Sequence, residues 1–345
     1  MANEATGFPD HEGAERLRQL AYGYVPAALI GVIVELGIPD LLTDGMKPSS
    51  ELAALTKANE DALYRILRTL AGLGIFAETG SRNFALTSTG RYLRSDVRGS
   101  LCGFIRWVTN PFVLRSYAEL MHTAKTGEPA AEHVFGESLF SHLRGNPDLS
   151  RTFNEGMSGF SRLVSAALLE TYDFSGIKVL ADLAGGEGVV LAAILQRYPS
   201  LQGLLFEQEH VIAGARERLA GMGLTGRCHC SAVDFFDEVP AGADAYLMKS
   251  IIHDWDDHRA GLILGNCRRA LAGVQFGKLL LVEPVIPSGN DPHLSKIIDM
   301  QMLAITGGRE RTREEFEKLL SENGFRMTAL LPTKSVVSLV EAVPE

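Results

Sequence analysis

Through the first hundred residues, apolar side chains recur at helical spacing. Leu17, Leu20, Ala21, Val25, Ala28, Leu29, Val32 and Leu36 trace one stripe, which Gly37 and Pro39 end. Ser49 or Ser50 is placed to cap a short helix over 51–56. Asn59 is placed to cap a second over 60–73, with Leu63, Ile66, Leu67 and Leu70 on one face. Ile75-Phe76-Ala77 and Phe84-Ala85-Leu86 flank a Gly-Ser-Arg-Asn turn and predict a two-stranded hairpin. Helix, helix, hairpin in that order is a winged-helix pattern. Residues 101–175 are helical again and rich in large groups, among them Trp107, Phe112, Tyr117, Met121, Phe140, Phe153, Met157 and Phe160. A stripe of that kind builds core more often than ligand pocket.

From 176 the rhythm changes. Short apolar runs at 179–183, 204–207, 228–233, 243–248 and 278–283 alternate with helical stretches such as 189–197 and 211–220. Strands alternating with helices predict an α/β fold with a doubly wound parallel sheet. The chain has 345 residues, enough for two domains. We divide it into a mainly helical, winged-helix-like domain over 1–105 and a second domain over 106–345, the latter made of a helical segment 106–175 and a sheet-bearing core 176–345.

A winged helix raises DNA binding. Its second helix sets Arg65 and Arg68 against Glu60 and Asp61, and residues 1–100 hold 10 basic and 12 acidic side chains. A DNA-reading module normally carries a positive face. The whole chain, with 33 Lys plus Arg, 42 Asp plus Glu and a net charge of −9, has no general attraction for nucleic acid or anionic membrane. A subunit contact or a lid is therefore the expected use. The start carries Glu4, Asp10, Glu12 and Glu15 and no apolar leader. The longest apolar run, 25–36, is about half a membrane span and is interrupted by Pro26 and Glu35. Four irregularly spaced cysteines make no disulfide framework, and Cys228-His229-Cys230 lacks the partners of a zinc site. The expectation is a cytoplasmic protein without a metal.

Asp182-Leu183-Ala184-Gly185-Gly186-Glu187-Gly188 stands where a strand hands over to a helix, the place where open α/β sheets bind ligands. Glycines there let backbone approach a ligand. The dinucleotide fingerprint fails, because Leu191 stands where its last glycine belongs, and the phosphate-loop lysine is missing. Asp182 points instead to a ligand with a cationic or amine-bearing group. Glu207 closes the next strand, 25 residues on, placed to accept hydrogen bonds from both hydroxyls of a ribose. Asp234-Phe235 adds an acceptor and an aromatic wall suited to adenine. Adenosine joined to a charged amino acid without phosphate is S-adenosylmethionine.

Lys249-Ser250-Ile251-Ile252-His253-Asp254-Trp255-Asp256-Asp257 follows the fourth strand, at the same crevice. A histidine there is suited to general-base work near neutral pH. The strings DLAGGEG, YPSLQGLLFEQEHVI, DFFDEVPAGADAYLMKSIIHDWDD, VEPVIP and DMQMLAITGGRERTREEFEKLL run in order along the chain. With the winged-helix start, they make it resemble the S-adenosylmethionine-dependent O-methyltransferases of the caffeic acid, acetylserotonin and bacterial polyketide-tailoring type.

The resemblance implies a Rossmann-like cofactor-binding sheet behind an N-terminal dimerisation domain. It implies that Asp182, Gly185, Gly186, Gly188, Glu207, Asp234, Phe235 and Lys249 bind S-adenosylmethionine and release S-adenosylhomocysteine. His253 resembles the general base, and Glu283 and Glu310 the carboxylates flanking it. Met157, Phe160, Asp254, Asp299, Met302 and Thr306 fall where the family lines its acceptor pocket. The implied reaction is methyl transfer to a hydroxyl of an aromatic or polyketide-like small molecule, in a homodimer.

The chemistry is consistent with those assignments. A phenol with a pKa of about 10 is little ionised at neutral pH, and an imidazole of about 6.5 is mostly free to take its proton. A carboxylate on the other ring nitrogen fixes the tautomer. Two residues depart from the family. Ala184 replaces a loop glycine, at little cost if its φ is negative. Glu187 adds a negative charge where a neutral or basic residue is usual. The alternatives are methylation at nitrogen or carbon, a non-methylating reaction on the same fold, and a ligand-sensing winged-helix regulator of DNA.

Overall fold

A computed structural model describes residues 11–345; Glu4 and Asp10 lie outside the described residues. The chain divides into one unit ending at Asn110 and a second running from Pro111 to Glu345.

In the first unit, the apolar stripe is two helices rather than one, α1 (His11–Ala21) and α2 (Tyr24–Glu35), broken at Tyr22-Gly23. A short α3 (Ile38–Leu41) takes Pro39 into its first turn, where a missing N–H costs nothing. A strand β1 (Lys47–Pro48) leads directly into α4 (Ser49–Thr56). The expected Ser49 or Ser50 cap does not form. Pairing of Pro48 with Asn83 keeps the chain extended through Pro48, so Pro48 is the cap residue and both serines lie inside the helix. Asn59 does cap α5 (Glu60–Gly72), accepting from the Ala62 amide at 3.0 Å. The wing is β2 (Phe76–Thr79) with β3 (Asn83–Leu86), and α6 (Cys102–Val108) follows. Its core gathers Ile33, Leu63, Leu67, Leu70, Phe76 and Phe84, while Leu17, Leu20, Tyr24 and Val32 stay exposed.

The second unit begins with five helices: α7 (Pro111–Ala118), α8 (Leu120–Thr126), α9 (Ala130–Phe135), α10 (Leu139–Gly145) and the long α11 (Pro147–Thr171). Then come β4 (Val179–Leu183), α12 (Val189–Arg197), β5 (Gln202–Glu207), α13 (Glu209–Gly221), β6 (Cys228–Ala232) and β7 (Ala245–Lys249). The end of the chain supplies α14 (Asp257–Ala270), β8 (Lys278–Ile286), α15 (Leu294–Ile305), β9 (Arg311–Thr312), α16 (Arg313–Glu322), β10 (Phe325–Pro332) and β11 (Val337–Pro344). The sheet runs β10-β11-β8-β7-β4-β5-β6. The expectation of a parallel sheet holds from β6 to β8; β11 and β10 then pair antiparallel and close that end as a hairpin.

Strand order reverses between β4 and β7. The carboxyl ends of those two strands therefore splay apart and leave a crevice. Apolar clusters cover both sides of the sheet, one including Leu180, Leu191, Leu195 and Leu205, the other Ala181, Tyr246, Met248 and Ile263. Cys228, His229 and Cys230 lie along the edge strand β6, where alternation sends the histidine to the face opposite the two cysteines.

Candidate active site

Asp182, one residue before the end of β4, is almost fully buried, and neither carboxylate oxygen has a hydrogen-bond partner. Burial pushes it up to about 7, with Glu207 adding and Lys249 opposing. A carboxylate desolvated without a partner is costly. The loop after it is built from unusual backbone. Gly186 and Gly188 have φ of 59° and 71°, and a side-chain carbon at Gly185 would come within 2.5 Å of Asp182 Oδ2. Ala184 also has positive φ, 51°. The condition under which alanine would cost little, a negative φ, is therefore not met: the residue is held left-handed, and its amide donates to the Phe206 carbonyl at 2.7 Å.

Glu207 ends β5. Its Oε2 accepts from the Gly186 amide at 2.8 Å and its Oε1 from Gln208 at 2.7 Å, so it braces the glycine loop. Burial raises its titration and those two amides lower it. Glu187 is not a bare charge: Arg218 on α13 pairs with it, and Ser158 on α11 donates to it at 3.0 Å. Sequence reasoning missed both partners, since neither lies near the loop in the chain. Asp234 caps its own turn through the Phe236 amide at 2.9 Å. Phe235 stands 4.9 Å from Phe236 and 6.4 Å from Trp255, ring centre to ring centre. Lys249, at the end of β7, is surrounded by Glu283, Asp182 and Asp254. Its burial lowers its titration and those acids raise it. Its Nζ lies 5.2 Å from the Phe160 ring.

The catalytic candidates come together on a tight turn over Ile252–Asp254. His253 Nδ1 is 2.6 Å from Glu310 Oε1 and 3.7 Å from Glu283 Oε2; Nε2 is 3.8 Å from Asp254 Oδ1. The two glutamates differ. Glu283 spends Oε1 on the Ile251 and Ile252 amides, both at 2.9 Å, and so holds the turn. Glu310 is the one within hydrogen-bonding distance of the imidazole. Burial and Asp299 raise Glu310, while Arg311 lowers it. Burial pushes Asp254 up to about 7, and Glu283 is raised for the same reason.

Among the described residues, His253, Glu283 and Glu310 offer donor atoms within 4.8 Å of one another, a set able to ligate a metal ion. The 2.6 Å contact is shorter than the edge between two ligands held at ~2.1 Å from a metal. We therefore treat it as a hydrogen bond.

Of the pocket candidates, Met157 and Phe160 sit on α11, and Asp299 and Met302 on α15. Asp299 is already engaged, its Oδ1 accepting the Glu310 amide at 2.8 Å. Thr306 donates to the Met302 carbonyl at 3.1 Å and accepts from Gly308 at 3.2 Å.

Residues 117–326 match the O-methyltransferase domain, and residues 18–96 the O-methyltransferase dimerisation domain. The chain is 41% identical over 335 residues to a phenazine O-methyltransferase of Lysobacter antibioticus, covering 95% of each chain. It is 37% identical over 337 residues to O-demethylpuromycin-O-methyltransferase of Streptomyces alboniger, covering 96% of this chain and 89% of that one. An 8-amino-8-demethylriboflavin N,N-dimethyltransferase of Streptomyces davaonensis is 32% identical, covering 99% of this chain and 98% of that one. The crystal structure of LaPhzM matches with a TM-score of 0.90 at 41% identity, covering 96% of this chain and 99% of that one. The chain belongs to the S-adenosylmethionine-dependent O-methyltransferase family, as its resemblance implied.

Proposed function

We propose that this enzyme methylates a hydroxyl group on an aromatic or polyketide-like small molecule, with His253 as general base. The observation that carries this reading is the 2.6 Å contact between His253 Nδ1 and Glu310 Oε1, deep in the crevice side of the sheet. With the proton on Nδ1 held by Glu310, Nε2 is left as acceptor for a phenolic proton. Glu283 keeps the turn in place from below, and Asp254 stands beside Nε2.

The residues at the end of β4 fit the family's cofactor. Asp182 needs a cationic or hydroxyl-bearing partner, and a side-chain carbon built at Gly186 meets nothing within 4 Å. Asp182, the glycine loop 185–188, Glu207, Asp234, Phe235 and Lys249 are the residues that would hold S-adenosylmethionine, which supplies a methyl group already activated on a sulfonium. The pocket residues Met157, Phe160, Asp254, Asp299, Met302 and Thr306 would orient the acceptor. Orienting reacting groups in this way is worth as much as ~7–11 kcal/mol.

The test is a screen with methyl-labelled cofactor against phenolic, naphthoic and phenazine acceptors, with matched anilines alongside. Label on oxygen supports the reading. Label only on nitrogen would replace it with the amine chemistry named by the riboflavin relative.

We further propose that the first unit serves dimerisation. Leu17, Leu20, Tyr24 and Val32 form an exposed apolar face on α1 and α2. The helical stretch His11–Glu35 is long and apolar enough to cross a membrane by length and composition. The dimerisation-domain match over 18–96 and the Glu12, Glu15, Arg16 and Arg18 charges on α1 favour a second copy of the chain as its partner instead. Light scattering at micromolar concentration is expected to give twice the mass of one chain; a monomer would refute this.

A further inference from the structure

The turn that carries His253 is too short to brace itself. A three-residue turn of this kind leaves its end carbonyls without helical partners. The structure meets that need from one distant segment, 308–311. A side-chain carbon at Gly308 would lie 2.0 Å from the His253 carbonyl oxygen, so backbone packs directly on backbone there. The Arg309 amide donates to that same carbonyl at 2.8 Å. Glu310 reaches Nδ1. Arg311, only 1% exposed, completes the set.

All five N–H donors of Arg311 are used. Nε and Nη2 donate to Asp257 Oδ1 at 3.0 and 2.7 Å. Nη1 donates to the Ile252 carbonyl at 3.1 Å and the Arg309 carbonyl at 3.4 Å, and Nη2 to the Trp255 carbonyl at 3.0 Å. The fork thus grips the chain on both sides of His253. Its own position is set by β9, where Arg311 pairs with Val285 of β8, the strand that also carries Glu283.

We propose that Arg311 is a positioning residue for the reaction: it fixes the His253 turn from behind and holds a positive charge beside Glu310, so that the proton stays on Nδ1 and Nε2 faces the acceptor unprotonated. It touches no reacting atom. Lysine cannot replace it, since a single ammonium lacks the planar fork that spans three carbonyls and a carboxylate. The lowering of Glu310 by Arg311 has the sign this needs. The proposal rests on the general-base reading of His253.

The test uses three variants of the full-length protein, Arg311→Met, Arg311→Lys and Asp257→Asn. Histidine nitrogens are followed by NMR on labelled protein. The chain has nine histidines, and the His253 signals are the ones lost in His253→Ala. In wild type, Nδ1 is expected to carry the proton. Arg311→Met should mix the tautomers, move the acid limb of kcat/KM to higher pH and lower kcat about 100-fold. S-adenosylhomocysteine affinity and KM should stay within about twofold, the range of an unperturbed cofactor site. Arg311→Lys should restore the acid limb but only part of kcat. Asp257→Asn, which removes an exposed partner and leaves the buried arginine, should lower kcat a few-fold with affinity unchanged.

An unchanged His253 tautomer in Arg311→Met overturns the proposal, as does a loss of S-adenosylhomocysteine binding parallel to the loss of turnover. If Arg311→Met does not fold, unchanged kcat in both other variants overturns it. Retained turnover in His253→Ala would instead strike the general-base reading, a distinguishable result.

Discussion

The crevice at the ends of β4 and β7 is bordered by two segments that are held in opposite ways. The glycine loop, 182–188, is under tension: Asp182 is buried without a partner, and Ala184 is in a left-handed conformation that alanine resists. The histidine turn, 252–257, is braced through its backbone. Glu283 takes its amides, Arg311 its carbonyls, and Glu310 one face of its imidazole. The comparison separates two tasks. On the proposed reading, the loop is left for a ligand to complete, and the backbone that carries the base is fixed by the protein itself.

The comparison breaks most visibly at Glu310. Glu310→Gln keeps the shape but no longer holds the proton on Nδ1, and turnover is expected to fall about a thousandfold with S-adenosylhomocysteine affinity unchanged. Calorimetry and a labelled-methyl assay on the same preparation check both halves.

Asp182→Asn should do the reverse. Losing charged contacts of about 1.5–3 kcal/mol should weaken S-adenosylhomocysteine binding ~10- to 100-fold, with kcat at saturation falling much less.

A pH series on the ligand-free protein sharpens the contrast. Asp182 and Asp254 are raised to about 7. The folded state therefore holds protons that the unfolded chain releases at ordinary carboxylate values. That stability is fully present below about pH 4 and is lost as pH rises through about 7. Thermal midpoints should fall between about pH 4 and pH 7, and Asp182→Asn should flatten part of that fall. Lys249, lowered by its own burial, works against the trend.

The smallest effect belongs to Ala184→Gly. The left-handed conformation costs alanine about 1 kcal/mol, and glycine returns part of that as chain entropy. The thermal midpoint should rise by about 1–2 °C, with tighter S-adenosylhomocysteine binding if the loop relaxes toward the ligand.

Much of the fold is written in local pattern. The alternation of strands and helices from 179 to 249 gave the order of elements, and the helix 189–197 has the bounds expected of it. The acids at strand ends and the histidine string were legible because topology sends the carboxyl ends of parallel strands to one place. Three features were not legible. The β10–β11 hairpin depends on which strand finds β8, a contact distant in sequence. The serines at 49 and 50 fit a cap pattern that pairing of Pro48 overrides. Arg311 reads as one charge in a charged run, Arg-Glu-Arg, and only burial against the histidine turn reveals what it does. The same holds for Arg218, whose pairing with Glu187 turns an apparent liability into an anchored loop.

One measurement bears most directly on the central claim. His253→Ala is mixed with saturating labelled cofactor and an acceptor that wild type methylates, and single-turnover transfer is followed while S-adenosylhomocysteine affinity is measured on the same sample. The expected result is transfer slowed by a factor of about a thousand with affinity unchanged. Transfer within a few-fold of wild type, or an affinity lost along with the rate, would contradict the account.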